Sequence, residues 1–402
     1  MKQTTASTAI LERIDDAAML AQVQAWSAVN TGTANLAGLA QQASMLAEAF
    51  AVLPGKIELV DPAPVTAIDA AGREVERQHG QHMVLRVRPQ ANRRILLTGH
   101  MDTVFPADHP FQSTRWLEEG VLGGPGVADM KGGIAVILHA LMAFEEHPDA
   151  GALGYDVLIN SDEETGSLAS AALIADLARG KLAALTFEPS ALPDGTLAHA
   201  RGGSGNYAVT IRGRSAHAGR NPQDGRNAIV AAADLALRLK RYQNDAISVN
   251  PARIDGGSGN NVVPDLAILR FNVRPRTSEA GLAFEAALAE MIAAIAREHE
   301  VSAHIHGGVT RPPKPVDAAA QRLFDLVRRC GEELGQKIAW QSSGGVCDGN
   351  NIAACGVPVV DTMGVRGGAI HSSDEYLITA SLAERAALCA LVLGRIAAGD
   401  MN

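Results

Sequence analysis

A histidine and an aspartate stand one residue apart, directly after an apolar run of strand length. The run covers residues 95–97 and ends at Gly99, and His100 and Asp102 follow. On an extended segment residues i and i+2 point to the same side, so the two side chains leave the strand end together. This pairing suits a metal-bound imidazole whose other ring nitrogen is held by a carboxylate. Taken alone, the two residues leave a polar turn after a buried strand as the alternative.

Acidic side chains follow two further apolar segments at the point where each one ends. Glu163 and Glu164 come after the apolar run 155–160, and Glu188 comes after the run 182–187. Ligands of open α/β sheets bind outside the carboxyl ends of the strands, so we expect these side chains to converge. For Glu163 and Glu164, a solvated acidic turn is the alternative, and the buried run before them favours a site.

Two glycine-dense loops carry the remaining candidates. Asp129 lies near the end of the loop 123–133, and His371 ends the loop 364–371. Two histidines, three carboxylates and one further glutamate suit two zinc ions bridged by one carboxylate. The first loop lacks the Gly-Lys-Ser/Thr ending of a phosphate cradle, and the chain has no Gly-x-Ser-x-Gly nucleophile elbow.

The elements that must position these residues alternate between strand and helix. Up to about residue 202 the pattern predicts a mainly parallel α/β sheet with helices on both faces. Residues 203–311 then read β-α-β-β-α-β, the ferredoxin-like unit, and the α/β alternation resumes afterwards. We therefore predict a catalytic domain of residues 1–202 and 312–402, interrupted by an inserted α+β domain of residues 203–311.

The amino-acid composition argues against several classes of function. The chain has 402 residues, 47% hydrophobic and 20% charged, with a net charge of −9 and no basic run, which argues against a nucleic-acid partner. Its four cysteines form no C-x-x-C pair, so we expect reduced thiols rather than a structural zinc site. We expect no signal peptide and no membrane span, and hence a cytoplasmic protein.

Six ordered motifs carry a resemblance to a known superfamily. They are Gly99-His100-Met101-Asp102-Thr103-Val104, residues 124–133 (GPGVADMKGG), Asp162-Glu163-Glu164-Thr165-Gly166, Phe187-Glu188-Pro189, Ser215-Ala216-His217-Ala218-Gly219 and the late His371. In this order they resemble the co-catalytic dizinc hydrolases that include glutamate carboxypeptidase, acetylornithine deacetylase, succinyl-diaminopimelate desuccinylase and aminoacylase. The chain looks most similar to the glutamate carboxypeptidases, over nearly its whole length.

The resemblance implies a role for each matched residue. It implies two divalent metal ions, zinc with cobalt or manganese as alternatives, bridged by Asp129. One ion is completed by His100 and Glu188, and the other by Glu164 and His371. Asp102 orients His100, and Glu163 is the general base that moves a proton from water to the leaving nitrogen. The peptide bond Asp129-Met130 is expected to be cis.

The resemblance also implies substrate contacts and a partner. The inserted domain corresponds to the family's lid and dimerisation domain, and His217 reaches the active site of a neighbouring subunit to stabilise the oxyanion. Arg274 binds the free carboxylate of the substrate, and Asn261 is a second contact. A surface histidine and a surface salt bridge are the alternatives for His217 and Arg274.

We therefore predict a homodimeric metallohydrolase that cleaves a peptide or N-acyl bond beside a free carboxylate in a small substrate. Carboxypeptidase and N-acyl-amino-acid deacylase activity both remain open, and a non-catalytic scaffold on the same fold is the remote alternative. Relatives that act as aminopeptidases usually carry Asp at the position of Glu188, which disfavours that activity. Two loops depart from the glutamate carboxypeptidase pattern, at Val346-Cys347 and at Arg366, and we expect them to reshape the substrate pocket.

Overall fold

The computed structural model describes residues 13–401, and its secondary structure alternates as the sequence predicts. The strands are β1 (Lys56–Val60), β2 (Val65–Ile68), β3 (Glu74–Arg77), β4 (His82–Val87), β5 (Arg94–His100), β6 (Arg115–Glu118), β7 (Val121–Gly123), β8 (Gly154–Asn160), β9 (Ala183–Thr186), β10 (Leu197–Arg201), β11 (Ser204–Arg212), β12 (Ile247–Gly256), β13 (Leu266–Pro275), β14 (Ser302–Arg311), β15 (Trp340–Ser343), β16 (Val359–Val360), β17 (Gly367–Gly368) and β18 (Tyr376–Ile378). The helices are α1 (Asp16–Ser27), α2 (Leu36–Phe50), α3 (Gly133–Glu145), α4 (Ala171–Ala178), α5 (Ala228–Tyr242), α6 (Ser278–Glu298), α7 (Ala318–Glu333), α8 (Asp348–Ala354) and α9 (Ala380–Ala398). The predicted first helix from Thr8 begins outside the described residues.

A six-stranded sheet organises the first of two compact units. Its strand order is β1-β4-β8-β5-β9-β16. Strands β8, β5, β9 and β16 run parallel, whereas β1 and β4 are antiparallel to their neighbours. Because parallel strands share a direction, His100, Asn160 and Thr186 end at one edge of this sheet. The predicted α/β fold with a mostly parallel sheet is confirmed.

Both faces of this sheet are covered, which explains why its strands read as continuous apolar runs. Every residue of β8 is buried, and so are six of the seven residues of β5. One face packs in a core with α3 and α9, and the other face packs with α4 and α8. A second sheet of order β17-β18-β7-β6 and the pair β10-β15 complete the strands of this unit.

The segment Val127–Glu145 differs from the expectation that no stretch would suit a membrane span. It is the one helical stretch of residues 13–401 that is long and apolar enough for a span, judged by length and composition alone. It contains a kinked turn and then α3, and 94% of its most apolar window is buried inside the fold. Its apolar character is thus accounted for by packing in the core against α9.

The second unit has the ferredoxin-like order that the sequence predicts. Strands β11 to β14 form an antiparallel sheet in the order β12-β13-β11-β14, and α5 and α6 follow β11 and β13 in the chain. The buried residues of both helices pack in one core with the inward residues of β11 and β13. Asn227 and Thr277 cap α5 and α6 by accepting backbone N–H bonds in the first turn.

The predicted boundaries are wrong for one short segment. Residues Pro64–Arg77, assigned from the sequence to the catalytic domain, belong to the second unit together with Arg201–Pro315. They form the hairpin β2-β3, whose carbonyl oxygens at Ile68 and Gly72 accept hydrogen bonds from Arg270 (2.8 Å) and Arg212 (3.0 Å). These partners lie well over a hundred residues away in the chain, so local sequence patterns do not reveal the association.

Candidate metal centre

Asp129 stands between two histidines and directs one carboxylate oxygen at each. Its Oδ1 lies 3.1 Å from Nε2 of His100, and its Oδ2 lies 3.3 Å from Nε2 of His371. The kinked turn Val127–Gly132 carries Asp129, which is followed by a cis peptide bond to Met130, as predicted. A carboxylate with its two oxygens turned to different imidazoles has the arrangement of a ligand that bridges two metal ions.

Two glutamates complete the surroundings of these histidines. Glu188, past the end of β9, has Oε2 3.7 Å from Nε2 of His100, and Glu164, past the end of β8, has Oε2 3.2 Å from Nε2 of His371. The structure therefore gathers the five predicted ligands into two overlapping groups, which share Asp129. Nitrogen and carboxylate oxygen donors at this spacing fit a pair of divalent ions.

Glu163 is also within reach of the first group. The ligand atoms of His100, Glu163 and Glu188 lie within 4.8 Å of one another, as do those of His100, Asp129 and Glu164. Glu163 is buried, with 7% of its surface exposed. Both adjacent glutamates thus point into the site, and their separate roles stay a prediction that experiment has to decide.

Asp102 has more partners than the predicted contact with His100. Nδ1 of His100 lies 3.0 Å from the backbone carbonyl oxygen of Asp102 and 3.4 Å from its Oδ1. Because a carbonyl oxygen only accepts, Nδ1 carries a proton, and Nε2 is the ring nitrogen that faces Asp129. The carboxylate of Asp102 accepts the backbone N–H groups of Glu163 and Glu164, both at 3.2 Å. One buried aspartate therefore orients a histidine and also holds the turn of both glutamates.

The combined effects of charge and burial raise the pKa values of three of the clustered groups. Hydrogen bonds to Asp129 and Glu164 raise the pKa of His371 to about 11. Burial alone would lower the pKa of His100, but Glu188 and the other carboxylates raise it well above its ordinary value. Burial and the negative charge of Asp129 raise the pKa of Glu164 to about 7. The clustered carboxylates thus favour the presence of positive charge at this site.

The remaining predicted site residues lie in the second unit. Nδ1 of His217 accepts the backbone N–H groups of Gly219 (3.1 Å) and Arg220 (3.2 Å), so the neutral ring carries its proton on Nε2. Asn261 is exposed, and its backbone carbonyl accepts the N–H of Ala218 at 2.9 Å. The backbone bridge between His217 and Val262 therefore keeps these two predicted contacts close together.

Arg274 lies near the end of β13. Its Nε donates to Oδ1 of Asn272 at 2.9 Å. Partial burial and the positive charge of Arg311 both lower the pKa of Arg274. The guanidinium group of Arg311 is therefore close enough to influence the ionisation of Arg274.

Two further carboxylates lie near the residues that could hold metal ions, and neither was predicted from the sequence to belong to the site. Glu375 is buried and accepts three backbone N–H bonds from the loop of Asp129. Asp348 is buried and accepts from Asn160 (2.8 Å) and from the hydroxyl of Ser167, on either side of the Glu163 turn. Neither residue belongs to a motif with local spacing, and an acidic residue soon after His371 was the only sequence signal for Glu375.

The two loops that depart from the glutamate carboxypeptidase pattern contain Arg366 and Cys347, and both residues make contacts within the fold. Arg366 donates from Nε to the carbonyl of Pro193 (3.0 Å) and pairs with Glu384 (3.2 Å). Cys347 is buried at the start of α8, and its backbone N–H donates to Oδ1 of Asn350 at 3.2 Å. These contacts tie the loop of Arg366 to α9, and its effect on the substrate pocket stays a prediction.

Comparisons with known proteins agree with this arrangement. Residues 96–395 match the family described as Peptidase family M20/M25/M40. The chain is 31% identical over 343 residues to carboxypeptidase G2 of Pseudomonas sp. (strain RS-16), covering 83% of this chain and 80% of the relative. It is 30% identical over 315 residues to succinyl-diaminopimelate desuccinylase of Maricaulis maris, covering 72% and 77%. The structure of aminopeptidase PepT from Bacillus cereus superimposes with a TM-score of 0.72 at 22% identity, over 96% of this chain and 100% of that one, which shows the shared fold.

We expect metal binding to release protons near neutral pH. The raised pKa values of His100 and His371 mean that both rings are protonated in the metal-free protein, whereas only a neutral imidazole binds a metal. Zinc affinity should therefore fall steadily as the pH is lowered from about 8 to about 6. Calorimetry of zinc binding in buffers of different ionisation enthalpy measures the release, and an observed heat independent of the buffer would contradict it.

Proposed function

Because the chain belongs to Peptidase family M20/M25/M40 and is a metal-dependent hydrolase of amide bonds, we propose that it cleaves a peptide or N-acyl bond next to a free carboxylate. The observation that carries this proposal is the carboxylate of Asp129, shared between His100 and His371. The relatives at 30% identity or more include a carboxypeptidase and a desuccinylase, and these names favour the two activities left open by the sequence.

We propose that the site holds two divalent ions, most simply zinc. One ion is bound by His100, Asp129 and Glu188, and the other is bound by Asp129, Glu164 and His371. Bound there, such ions supply Lewis-acid activation of the scissile carbonyl and acidify water. The protein's own residues hold the ligands still: the carbonyl of Asp102 fixes the ring of His100, and its carboxylate fixes the turn of Glu164. This rigidity keeps the donor atoms at the spacing that a pair of ions needs.

Glu163 is proposed as the general base. Its backbone N–H is fixed by Oδ1 of Asp102, and its carboxylate lies within 4.8 Å of the ligand atoms of His100 and Glu188. A carboxylate at this position can take a proton from the attacking water and then give it to the departing nitrogen. Its burial limits access of bulk water, which strengthens the interaction with nearby charges.

Two single substitutions separate the base from the ligand. Glu163→Gln should lower kcat by about 10²–10⁴-fold, the range typical of general acid–base catalysis, while two metal ions stay bound. Glu164→Gln should instead reduce the metal content, because its carboxylate faces His371. Metal analysis of both purified variants decides the matter, and loss of a metal only in Glu163→Gln would reverse the two roles.

Arg274 is proposed to recognise the free carboxylate of the substrate. The support is the resemblance to the glutamate carboxypeptidases, together with the nearby positive charge of Arg311. A guanidinium group binds a carboxylate through two parallel hydrogen bonds, which an amide cannot reproduce. This recognition would serve a carboxypeptidase and an acyl-amino-acid deacylase equally well.

A substrate panel tests both the reaction and this recognition. N-acyl amino acids and dipeptides, each as free acid and as amide, should show faster cleavage of the free acids by the zinc-loaded protein. Arg274→Ala should remove this preference by raising KM for the acids by about tenfold or more, as expected for a charged hydrogen bond of 1.5–3 kcal/mol. Arg253→Ala is the matched control, because that exposed arginine on β12 pairs with Asp255. A preference that persists in Arg274→Ala would rule out its role.

We also propose that the protein is a homodimer in which His217 of one subunit donates a hydrogen bond at the active site of the other. The support is the resemblance and the tautomer of His217, because its Nδ1 accepts backbone N–H groups and leaves Nε2–H as the donor. A donor aimed at a developing oxyanion contributes about 10²–10³ in rate.

Mixed dimers test whether His217 acts between subunits. His217→Ala and Glu163→Gln should each be nearly inactive, and subunit exchange between them should create dimers with one site that carries both defects and one intact site. With random reassortment, activity should return to about a quarter of the wild-type value, as expected for a two-fold symmetric dimer. Absence of recovery after proven exchange would mean that His217 acts within its own subunit or has no catalytic role.

A further inference from the structure

Glu375 is a buried carboxylate that the proposed chemistry does not use. It has 1% of its surface exposed, and both of its oxygens accept backbone hydrogen bonds. Oε1 accepts the N–H groups of Ala128 and Asp129, both at 3.0 Å, and Oε2 accepts the N–H of Gly126 at 3.1 Å. All three donors belong to the loop that carries the bridging ligand Asp129.

The backbone of this loop is shaped to surround an anion. Gly126 adopts a left-handed conformation with φ of +73°, and its N–H group and those of Ala128 and Asp129 point at the same carboxyl group. Successive N–H groups arranged in this way form a concave anion-binding nest. In this protein the carboxyl group of Glu375 occupies the nest. A Cβ at Gly126 would lie 2.9 Å from the side chain of Thr103, so the space around the turn is also filled.

Glu375 also links the bridging ligand to the last ligand of the site. It lies four residues after His371, and its N–H donates to the carbonyl of Ser372 at 3.2 Å. Its own carbonyl oxygen accepts the N–H of Gly124 at 3.2 Å, and the following strand β18 pairs with β7. Backbone and side chain of one residue thus join the segment of His371 to the loop of Asp129.

We propose that Glu375 is a positioning residue that fixes the bridging carboxylate of Asp129 relative to His371 and thereby sets the affinity of both metal positions. The inference rests on the proposed dimetal site. Asp129 contributes to both positions, so a small displacement of its backbone moves an oxygen away from each ion at once. Residues that orient metal ligands typically contribute about 10–100-fold to metal affinity.

The geometry explains why a carboxylate is needed at this position. A glutamine could keep its carbonyl oxygen at the Oε1 position and still accept from Ala128 and Asp129. Its NH₂ group would then face the N–H of Gly126, two donors without an acceptor between them, in a place from which water is excluded. An aspartate would keep the charge but, with one methylene less, could not reach all three N–H groups.

The test measures the zinc affinity of folded metal-free protein by competition with a chromophoric chelator. Glu375→Gln should bind both zinc ions about 10–100-fold more weakly than wild type. In cobalt-substituted protein the visible absorption bands, which report ligand geometry, should change as well. Glu145→Gln is the matched control: Glu145 is a half-buried carboxylate at the far end of α3, paired with Arg88 at 2.6 Å, and its loss should leave zinc affinity unchanged.

The alternatives give distinct results. A lower thermal midpoint with wild-type zinc affinity and cobalt spectrum would show that Glu375 only supports the fold, which would overturn the inference. If Glu375→Gln does not fold, Glu375→Asp carries the same test, and wild-type affinity in that variant would overturn the inference equally. Failure of the wild-type protein itself to bind two zinc ions would instead contradict the proposed function.

Discussion

The concentration of negative charge around Asp129 is the constraint on which the arrangement of the first unit depends. Asp102, Asp129, Glu163, Glu164, Glu188 and Glu375 are grouped at or beside one edge of a sheet, and most of them are buried. Burial of several carboxylates together is unfavourable unless each one receives hydrogen bonds or a positive charge. The protein meets this need in two ways. The imidazoles of His100 and His371 face the carboxylate of Asp129, and backbone N–H groups donate hydrogen bonds to Asp102 and Glu375.

The backbone donors are arranged so that Asp102 and Glu375 each hold a segment that carries a predicted site residue. Asp102 binds the turn of Glu163 and Glu164, and Glu375 binds the loop of Asp129. A hydrogen bond from an N–H group stabilises the charged form of a carboxylate without supplying a competing cation. The functional oxygens are therefore left to face the imidazoles and any metal ion.

A buried polar network also stabilises the turn that carries Glu163 and Glu164. Asp162 accepts from Ser170 and from the backbone of Ala169, and Asp348 connects Asn160 with Ser167. Burial raises the pKa of Asp162, which weakens the tendency of this one carboxyl group to ionise. The turn of the two glutamates is thus held by contacts from β8, α4 and α8 at once.

The parts of the site that the sequence predicted are those with a local signature. His100, Glu164 and Glu188 each follow an apolar strand, and parallel strands bring their carboxyl ends to one edge, so their convergence follows from the pattern. Glu375, Asp348 and the hairpin β2-β3 act through partners far away in the chain, at sites where nothing in the neighbouring sequence marks the contact. The order of the second unit was predictable because its two helices and four strands have strong periodicity.

The position of the second unit in the chain has a consequence for how the protein is made. The predicted metal ligands lie between residues 100 and 371, and the segment Arg201–Pro315 separates Glu188 from His371. Chains emerge from the ribosome from the N-terminus at about 5–20 residues per second. His100, Asp129 and Glu188 are therefore all present in the nascent chain before His371 has been synthesised. A site that needs His371 can therefore be completed only after the chain has returned to the first unit.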